Sequence, residues 1–446
     1  MAGRRLRILA LAYSCNPDQF SIALEGWSLS RALREHVEAR VVTHARNRSD
    51  LEKAGWREGR EFTAIDPGAI GTWVDRIGET VRRAAKLGTT WTTAIEAVTY
   101  SYFEHLVWQR FGAAIRGGEF DIVHRLTPMS PTVPSPIARL LRGARVPFVW
   151  GPINGGVPWP KQFRDVLRRE GEWFSYLREG HRLLPGYAIA RNSAAALVTG
   201  SICAWEQMKG HHDRCIYVPE NAIDPDRFNV ERPAGSEGPL RIAFIGRIVP
   251  YKGADILIEA VAPLIRAGKA VVDVIGDGPE MISLRRRVAE AQIGEGVALH
   301  GWVDHREIAN RLASSQVFAF PSIREAGGAV VLEAMALGMT PVVIDNGGPR
   351  ELVSEKTGYR VPLGTRASVV TAFRKTLTML AASPESVRAI GLRARDRVFR
   401  LFTWDVKARQ IVQVYRWVLG EGDKPDFGMP LADPPDQGPP VPERSV

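Results

Sequence analysis

Leu240-Arg241-Ile242-Ala243-Phe244-Ile245-Gly246-Arg247-Ile248-Val249-Pro250-Tyr251-Lys252-Gly253 reads as a clean apolar strand that runs into a short loop carrying two cations. Gly246 and Gly253 bound that loop and permit tight turns. An apolar helix over Asp255 to Ile265 follows, and the pattern then repeats. Val271 to Ile275, Val297 to His300, Val317 to Phe320 and Pro341 to Ile344 are short apolar runs with helical stretches between them. Such alternation predicts a doubly wound α/β unit with a parallel sheet over 240–398. A guanidinium and an ammonium converging from one loop suit a diphosphate.

Upstream, the same alternation predicts a first unit within 1–222. Its strands are expected over 6–14, 38–43, 121–124, 146–150, 195–199 and 215–218, with a helix over 26–36 and a helix-biased stretch over 72–116. Gly151-Pro152-Ile153-Asn154-Gly155-Gly156 reads as a loop. Pro, Asn, Asp and Gly concentrate between Glu220 and Gly238, which places a linker at 223–239. A C-terminal helix within 399–420 can return to the first unit, and the proline-studded stretch 421–446 is expected to be disordered. The fold class is α/β, with two doubly wound Rossmann-like domains facing across a cleft. Ligands of such sheets bind at the carboxyl ends of the strands, where the motifs fall.

Bulk properties narrow the class. The 446 residues exceed one ordinary core, and 45% hydrophobic with 24% charged residues is globular composition. No apolar run approaches the roughly 18 residues that span a bilayer. Arg4, Arg5 and Arg7 before Ile8-Leu9-Ala10-Leu11-Ala12 resemble a secretory signal, but the apolar run is short and reads as a buried first strand. Cys15, Cys203 and Cys215 cannot form a disulfide framework, and their spacing with His211 and His212 matches no common zinc pattern. A cytoplasmic protein with no metal and no cofactor is expected. The net charge of +10 favours anionic partners. It is dispersed and accompanied by no nucleic-acid-binding signature, which points to phosphorylated ligands and away from nucleic acid.

A second motif is Arg324-Glu325-Ala326-Gly327-Gly328-Ala329-Val330-Val331-Leu332-Glu333. Two carboxylates eight positions apart flank a glycine pair that opens a helix. Free N–H groups at the helix start can hold phosphate, and carboxylates can hold sugar hydroxyls. Gly276-Asp277-Gly278-Pro279 lacks dinucleotide spacing and reads as a strand-to-helix turn lining a nucleotide pocket. That absence also disfavours a nicotinamide dehydrogenase.

With Pro321-Ser322, Gly347-Gly348-Pro349-Arg350-Glu351 and Thr357-Gly358-Tyr359-Arg360-Val361-Pro362, the ordered set over 240–365 resembles the retaining glycosyltransferases of family 4, the group 1 glycosyl transferases of GT-B fold. The resemblance implies a metal-independent, retaining glycosyltransferase. It would use a nucleotide-diphosphate sugar and a glycan or lipid-linked acceptor, in surface polysaccharide or glycolipid biosynthesis. Arg247 and Lys252 would bind the diphosphate, and Glu325 would meet the donor sugar. Gly246, Gly276, Ser322, Gly327, Gly328, Ala329 and Val330 would line the donor. Glu333 would take the ribose and Val303, beside Trp302, would lie near the base. Gly327 stands where many relatives carry an aromatic residue.

In the first half, relatives often place a histidine where Asp121-Ile122-Val123-His124-Arg125-Leu126-Thr127 has Leu126. His124 is the candidate substitute, Thr127 another, and His124 can equally be a core residue. Asn154 and Gly155 are candidates for the acceptor side. Asp224-Pro225-Asp226 reads as structural. The basic, aromatic stretch 161–182 admits peripheral contact with an anionic membrane at its inner face, and equally a solvated helix with one apolar stripe. The loss at Leu126 and the glycine-poor loop 16–21 motivate one alternative: a non-catalytic GT-B-like scaffold that binds a sugar nucleotide or a partner enzyme.

Overall fold

The computed structural model describes residues 4–68, 89–170, 186–228, 230, 238–304 and 307–434. Among the described residues the strands form two parallel sheets. The first has seven strands: β1 (Arg7–Ala12), β2 (Glu38–His44), β3 (Phe62–Ile65), β4 (Ile122–Thr127), β5 (Phe148–Ile153), β6 (Ala196–Thr199) and β7 (Cys215–Tyr217), in the order β3-β2-β1-β4-β5-β6-β7. The second has six: β8 (Leu240–Ile245), β9 (Ala270–Ile275), β10 (Val297–Gly301), β11 (Val317–Phe320), β12 (Thr340–Ile344) and β13 (Tyr359–Val361), in the order β10-β9-β8-β11-β12-β13. The near-continuous apolar runs follow from burial on both faces, as a parallel sheet covered by helices requires. Ile8 is paired with Ala39 on one side and Ile122 on the other, and Ile242 with Val272 and Val317.

Strand order reverses between β1 and β4 in the first sheet and between β8 and β11 in the second. At such a switch point the loops at the strand ends diverge and leave a crevice. The loop after β8 holds Arg247 and Lys252, and the loop after β11 holds Glu325, so the fold brings both motifs to one crevice.

The chain crosses between the units twice at one place. Ile223 N–H donates to Phe402 O (2.8 Å) and Trp404 N–H to Ile223 O (3.3 Å). The helix Trp404–Val418 then packs on the helix Ile22–His36 of the first unit. A third contact comes from the segment after β5. Phe163 and Val166 are buried in the core of the second unit although they lie in the chain of the first.

Three expectations change. Gly151, Pro152 and Ile153 are not loop: β5 continues through Ile153, and all three are buried. β3 and β13 appear where no strand was expected, since three- and four-residue edge strands carry little periodicity. Residues 421–434 are not disordered. Leu431 is buried, and Arg397, itself 1% exposed, donates to Leu431 O (2.7 Å) and pairs with Asp433 (2.6 Å). A buried guanidinium needs a carboxylate, and the proline-rich segment supplies it. Residues 435–446, and residues 171–182 of the basic aromatic stretch, lie outside the described residues.

Candidate active site

Pro250–Lys252 forms a single 3-10 turn after β8, and Gly253 (φ 74°) caps the helix Ala254–Arg266. A Cβ at Gly253 would overlap Pro321 O, so a glycine here lets the two switch-point loops touch. Ile323 N–H donates to Tyr251 O (2.9 Å), which locks the loops together. In this frame the Lys252 ammonium pairs with Glu325 Oε2. Ser322 Oγ lies 3.4 Å from both Glu325 Oε2 and Tyr251 O. The ammonium also sits 5.1 Å from the Phe320 ring centroid and 5.6 Å from that of Tyr251. The side chains of Lys252 and Glu325 remain 14% and 18% exposed, so an anion can reach them.

Arg247 is exposed on the same loop. Burial raises the Tyr251 phenol, while Lys252 and, more weakly, Arg247 pull it down. Gly246 and Gly276 meet back to back at the ends of β8 and β9, with Gly246 N–H donating to Ile275 O (3.0 Å). Val303 packs against the second core, and Trp302 beside it is 65% exposed.

Gly328 (φ 85°) caps the helix Ala329–Ala336. That helix turns Ala329 and Glu333 into a cavity of about 520 Å³ between the units, with Val330 at its first turn. Asp18, Glu25, Arg31 and Asn221 line it from the opposite side. The cavity stops short of Lys252 and Glu325, so the structure separates the candidates into an ion-paired group at the switch point and a carboxylate facing the open cleft.

The first unit is different. His124 is fully buried, with Nδ1 2.6 Å from the Tyr415 hydroxyl and Nε2 2.7 Å from Gly151 O. Burial holds its imidazole down at about 3. Both nitrogens are occupied inside the protein, so the expectation of a catalytic His124 is corrected: it ties β4 to β5 and to the C-terminal helix. Thr127 does not replace it. Its hydroxyl is buried, donates to Ser14 O and accepts from Ser14 N–H, both at 3.0 Å. Asn154 is buried, and its Oδ1 accepts from Ser201 Oγ (2.6 Å) and Gly155 N–H (2.7 Å).

Several residues escaped the sequence analysis. Trp159 meets Tyr251 edge-on (6.2 Å) and lies under the Arg324 guanidinium (4.8 Å), while Arg324 Nε donates to Val157 O (2.8 Å). Glu351 accepts from Ile202 N–H and the Tyr217 hydroxyl of the first unit, and burial pushes its carboxyl up to about 7. Glu25, Glu220 and Lys407 act on one another electrostatically where the units meet; Glu220 and Lys407 are buried, and half-buried Glu25 lines the cavity. Burial raises both carboxyls and lowers the amine to about 7. Glu220 stands directly before the Asn221-Ala222-Ile223-Asp224 seam, a sequence signal that was available.

Among the described residues no group of three or more His, Cys, Asp or Glu could hold a metal ion, and no helix is long and apolar enough to cross a membrane.

Residues 226–396 match the family profile described as Glycosyl transferases group 1. An MMP alpha-(1->4)-mannosyltransferase from Mycolicibacterium hassiacum is 26% identical, covering 81% of this chain and 83% of that protein. The GPI3 subunit of the phosphatidylinositol N-acetylglucosaminyltransferase of Saccharomyces cerevisiae is 25% identical over 45% of this chain. The amylovoran biosynthesis glycosyltransferase AmsK of Erwinia amylovora is 28% identical over 45% of this chain. The chain spans about half the length of the yeast and Erwinia relatives. Among solved structures, Anabaena HepE in complex with UDP superposes with a TM-score of 0.62 at 17% identity, covering 92% of this chain and 99% of that one. The sucrose-phosphate synthase of Thermosynechococcus elongatus gives 0.59 at 17% identity, covering 94% and 100%. The fold is GT-B, and the family resemblance read from the motifs holds.

Proposed function

We propose that this chain, which carries a group 1 glycosyl transferase module in its second half, is a retaining glycosyltransferase. It moves a sugar from a nucleotide-diphosphate donor to a glycan or lipid-linked acceptor in surface polysaccharide or glycolipid synthesis. Residues 240–398 take the donor, 1–222 the acceptor, 223–239 link them, and 399–420 return to the first domain. The observation that carries this reading is the convergence of Lys252, Ser322 and Glu325 beside exposed Arg247 at the switch point of the second sheet.

A diphosphate entering this crevice meets two cations with no reorganisation of the backbone. Lys252 then exchanges its contact with Glu325 for phosphate oxygens, which frees the carboxylate for sugar hydroxyls. Glu333, on the cleft-facing helix, holds the ribose diol. The bond from the anomeric carbon to the diphosphate breaks toward the cations, and the acceptor oxygen bonds on the same face. The acceptor's proton passes to the departing diphosphate oxygen, so no protein base is needed where Leu126 replaces the family histidine. The charge of the leaving group is met by Arg247 and Lys252 without a metal. The relatives named as mannosyl- and N-acetylglucosaminyltransferases support this chemistry over the scaffold alternative.

In the segment after β5 the apolar side chains Phe163 and Val166 face inward, while Lys161, Arg164, Arg168 and Arg169 are exposed. That basic face supports peripheral contact with anionic lipid at the inner membrane surface, testable by vesicle flotation at low salt. The activity itself is tested by nucleotide release from UDP-glucose, UDP-N-acetylglucosamine and GDP-mannose. Release by the native protein that is lost in Arg247→Ala supports the assignment; release by neither, or equally by both, contradicts it.

A further inference from the structure

Glu220 occupies a position that none of the motifs assigns. It follows β7 where the chain leaves the first domain, fixed by its N–H to Gly200 O (3.1 Å), and is 8% exposed. Its Oε1 accepts from Asn221 Nδ2 (3.3 Å). Across the cleft it faces Gly327, two residues after Glu325. A Cβ at residue 327 would overlap both Glu220 Oε1 and Asn221 Nδ2. The space that any side chain at 327 would fill is therefore held by a carboxylate from the opposite domain. Beside it, Asn154 is 6% exposed, and its side-chain amide interacts with the Glu220 carboxyl group. Glu220 and Asn154 flank the same glycine, Gly200, whose Cβ would meet the Cβ atoms of both.

Resting on the donor assignment above, we propose that Glu220 is a specificity-determining contact to the donor sugar, admitted to the cleft floor because residue 327 is glycine. Glu220 accepts hydrogen bonds from sugar hydroxyls, beside the carboxylate of Glu325. Glu25 and Glu325 lie within electrostatic reach of Glu220, as does the Lys407 ammonium. A carboxylate on the sugar would be the fourth carboxyl group in a poorly solvated place, where a further negative charge is costly. The site therefore takes a neutral hexose bearing free hydroxyls and rejects a uronate.

Calorimetry on the full chain with UDP, UDP-glucose and UDP-glucuronate, or the GDP and GDP-mannose pair if guanine is preferred, tests this. The sugar's contribution is the affinity ratio of sugar nucleotide to nucleoside diphosphate. Glu220→Ala should lower that ratio by about tenfold, one hydrogen-bonded contact's worth, and leave nucleoside diphosphate affinity within about twofold. Gly327→Ala should do the same, and the double variant should lose no more than either single one. Glu220→Gln, which keeps the shape, should narrow the gap between glucose and glucuronate, and it serves if the alanine variant fails to fold by thermal melting. Unchanged ratios, equal losses for nucleoside diphosphate and sugar nucleotide, or fully additive losses in the double variant overturn the pairing of Glu220 with Gly327. A native protein that binds neither UDP nor GDP instead overturns the donor assignment on which it rests.

Discussion

The two switch points of this molecule have the same topology and opposite chemistry. Between β1 and β4 the crevice is sealed: the Thr127 hydroxyl bonds both the N–H and the carbonyl of Ser14, and a Cβ on Gly26 would overlap Ser14 O. The polar residues of β4 serve the fold. His124 holds Tyr415 and Gly151. Arg125 is fully buried, donates to the carbonyls of Pro128 and Val133, and lies between the rings of Tyr100 and Trp150. Between β8 and β11 the polar residues remain reachable: Arg247 is exposed, and Lys252 and Glu325 neutralise each other at the surface of the crevice. A polar group whose every partner is internal stabilises; one whose partner can be exchanged for a ligand can act on it.

Substitutions can break this contrast. Glu325→Ala should have the largest effect, lowering turnover by roughly a hundredfold as an oriented electrostatic contact is lost. Nucleoside diphosphate affinity should stay within about twofold; steady-state rates beside calorimetry check both. Arg247→Ala should weaken nucleoside diphosphate binding by about tenfold or more, as for a charged hydrogen bond, and the loss should shrink at high salt. His124→Ala should do the reverse. Leaving the Tyr415 hydroxyl and Gly151 O unpaired costs about 1–3 kcal/mol, read as a lower chemical-denaturation midpoint, with the rates of the folded protein unchanged.

The smallest effect is on pH dependence. The Glu351 carboxyl titrates near 7 in the folded chain and at its ordinary 4.5 when unfolded. Between those values the folded state holds a proton that the unfolded state has released, so this group's stabilisation, full below 4.5, is lost as pH rises toward 7. Raising the pH from 5 to 8 should therefore lower the melting temperature of the native chain more than that of Glu351→Gln. Parallel curves would show that this contact between the domains does not titrate.

Much of the second domain was legible because its central strands β8, β11 and β12 are largely apolar runs and its motifs follow such strands. The expected Leu240–Ile245 and Val317–Phe320 coincide with β8 and β11. Edge strands of three or four residues were not legible, nor was the order of 421–434, which depends on the buried guanidinium of Arg397 far from any proline signal. The family motifs named the candidate donor residues; Lys252, Ser322 and Glu325 gather at the switch point, while Ala329 and Glu333 line the separate cavity. The sequence could not separate a core histidine from a reactive one, because the residues that decide it are Tyr415 and Gly151, 291 and 27 positions away. The partners of Glu220, Trp159 and Glu351 stayed hidden for the same reason, although Glu220 borders the seam and Glu351 stands in a family motif. Each gains its meaning from the opposite domain, and local pattern does not encode which loop will face it.

The most direct test is a crystal structure of the chain soaked with the sugar nucleotide that calorimetry selects. The account predicts diphosphate oxygens within hydrogen-bonding distance of both the Arg247 guanidinium and the Lys252 ammonium, with Glu325 released from Lys252 and turned to the sugar. A diphosphate bound elsewhere, with the Lys252–Glu325 pair intact, would contradict it.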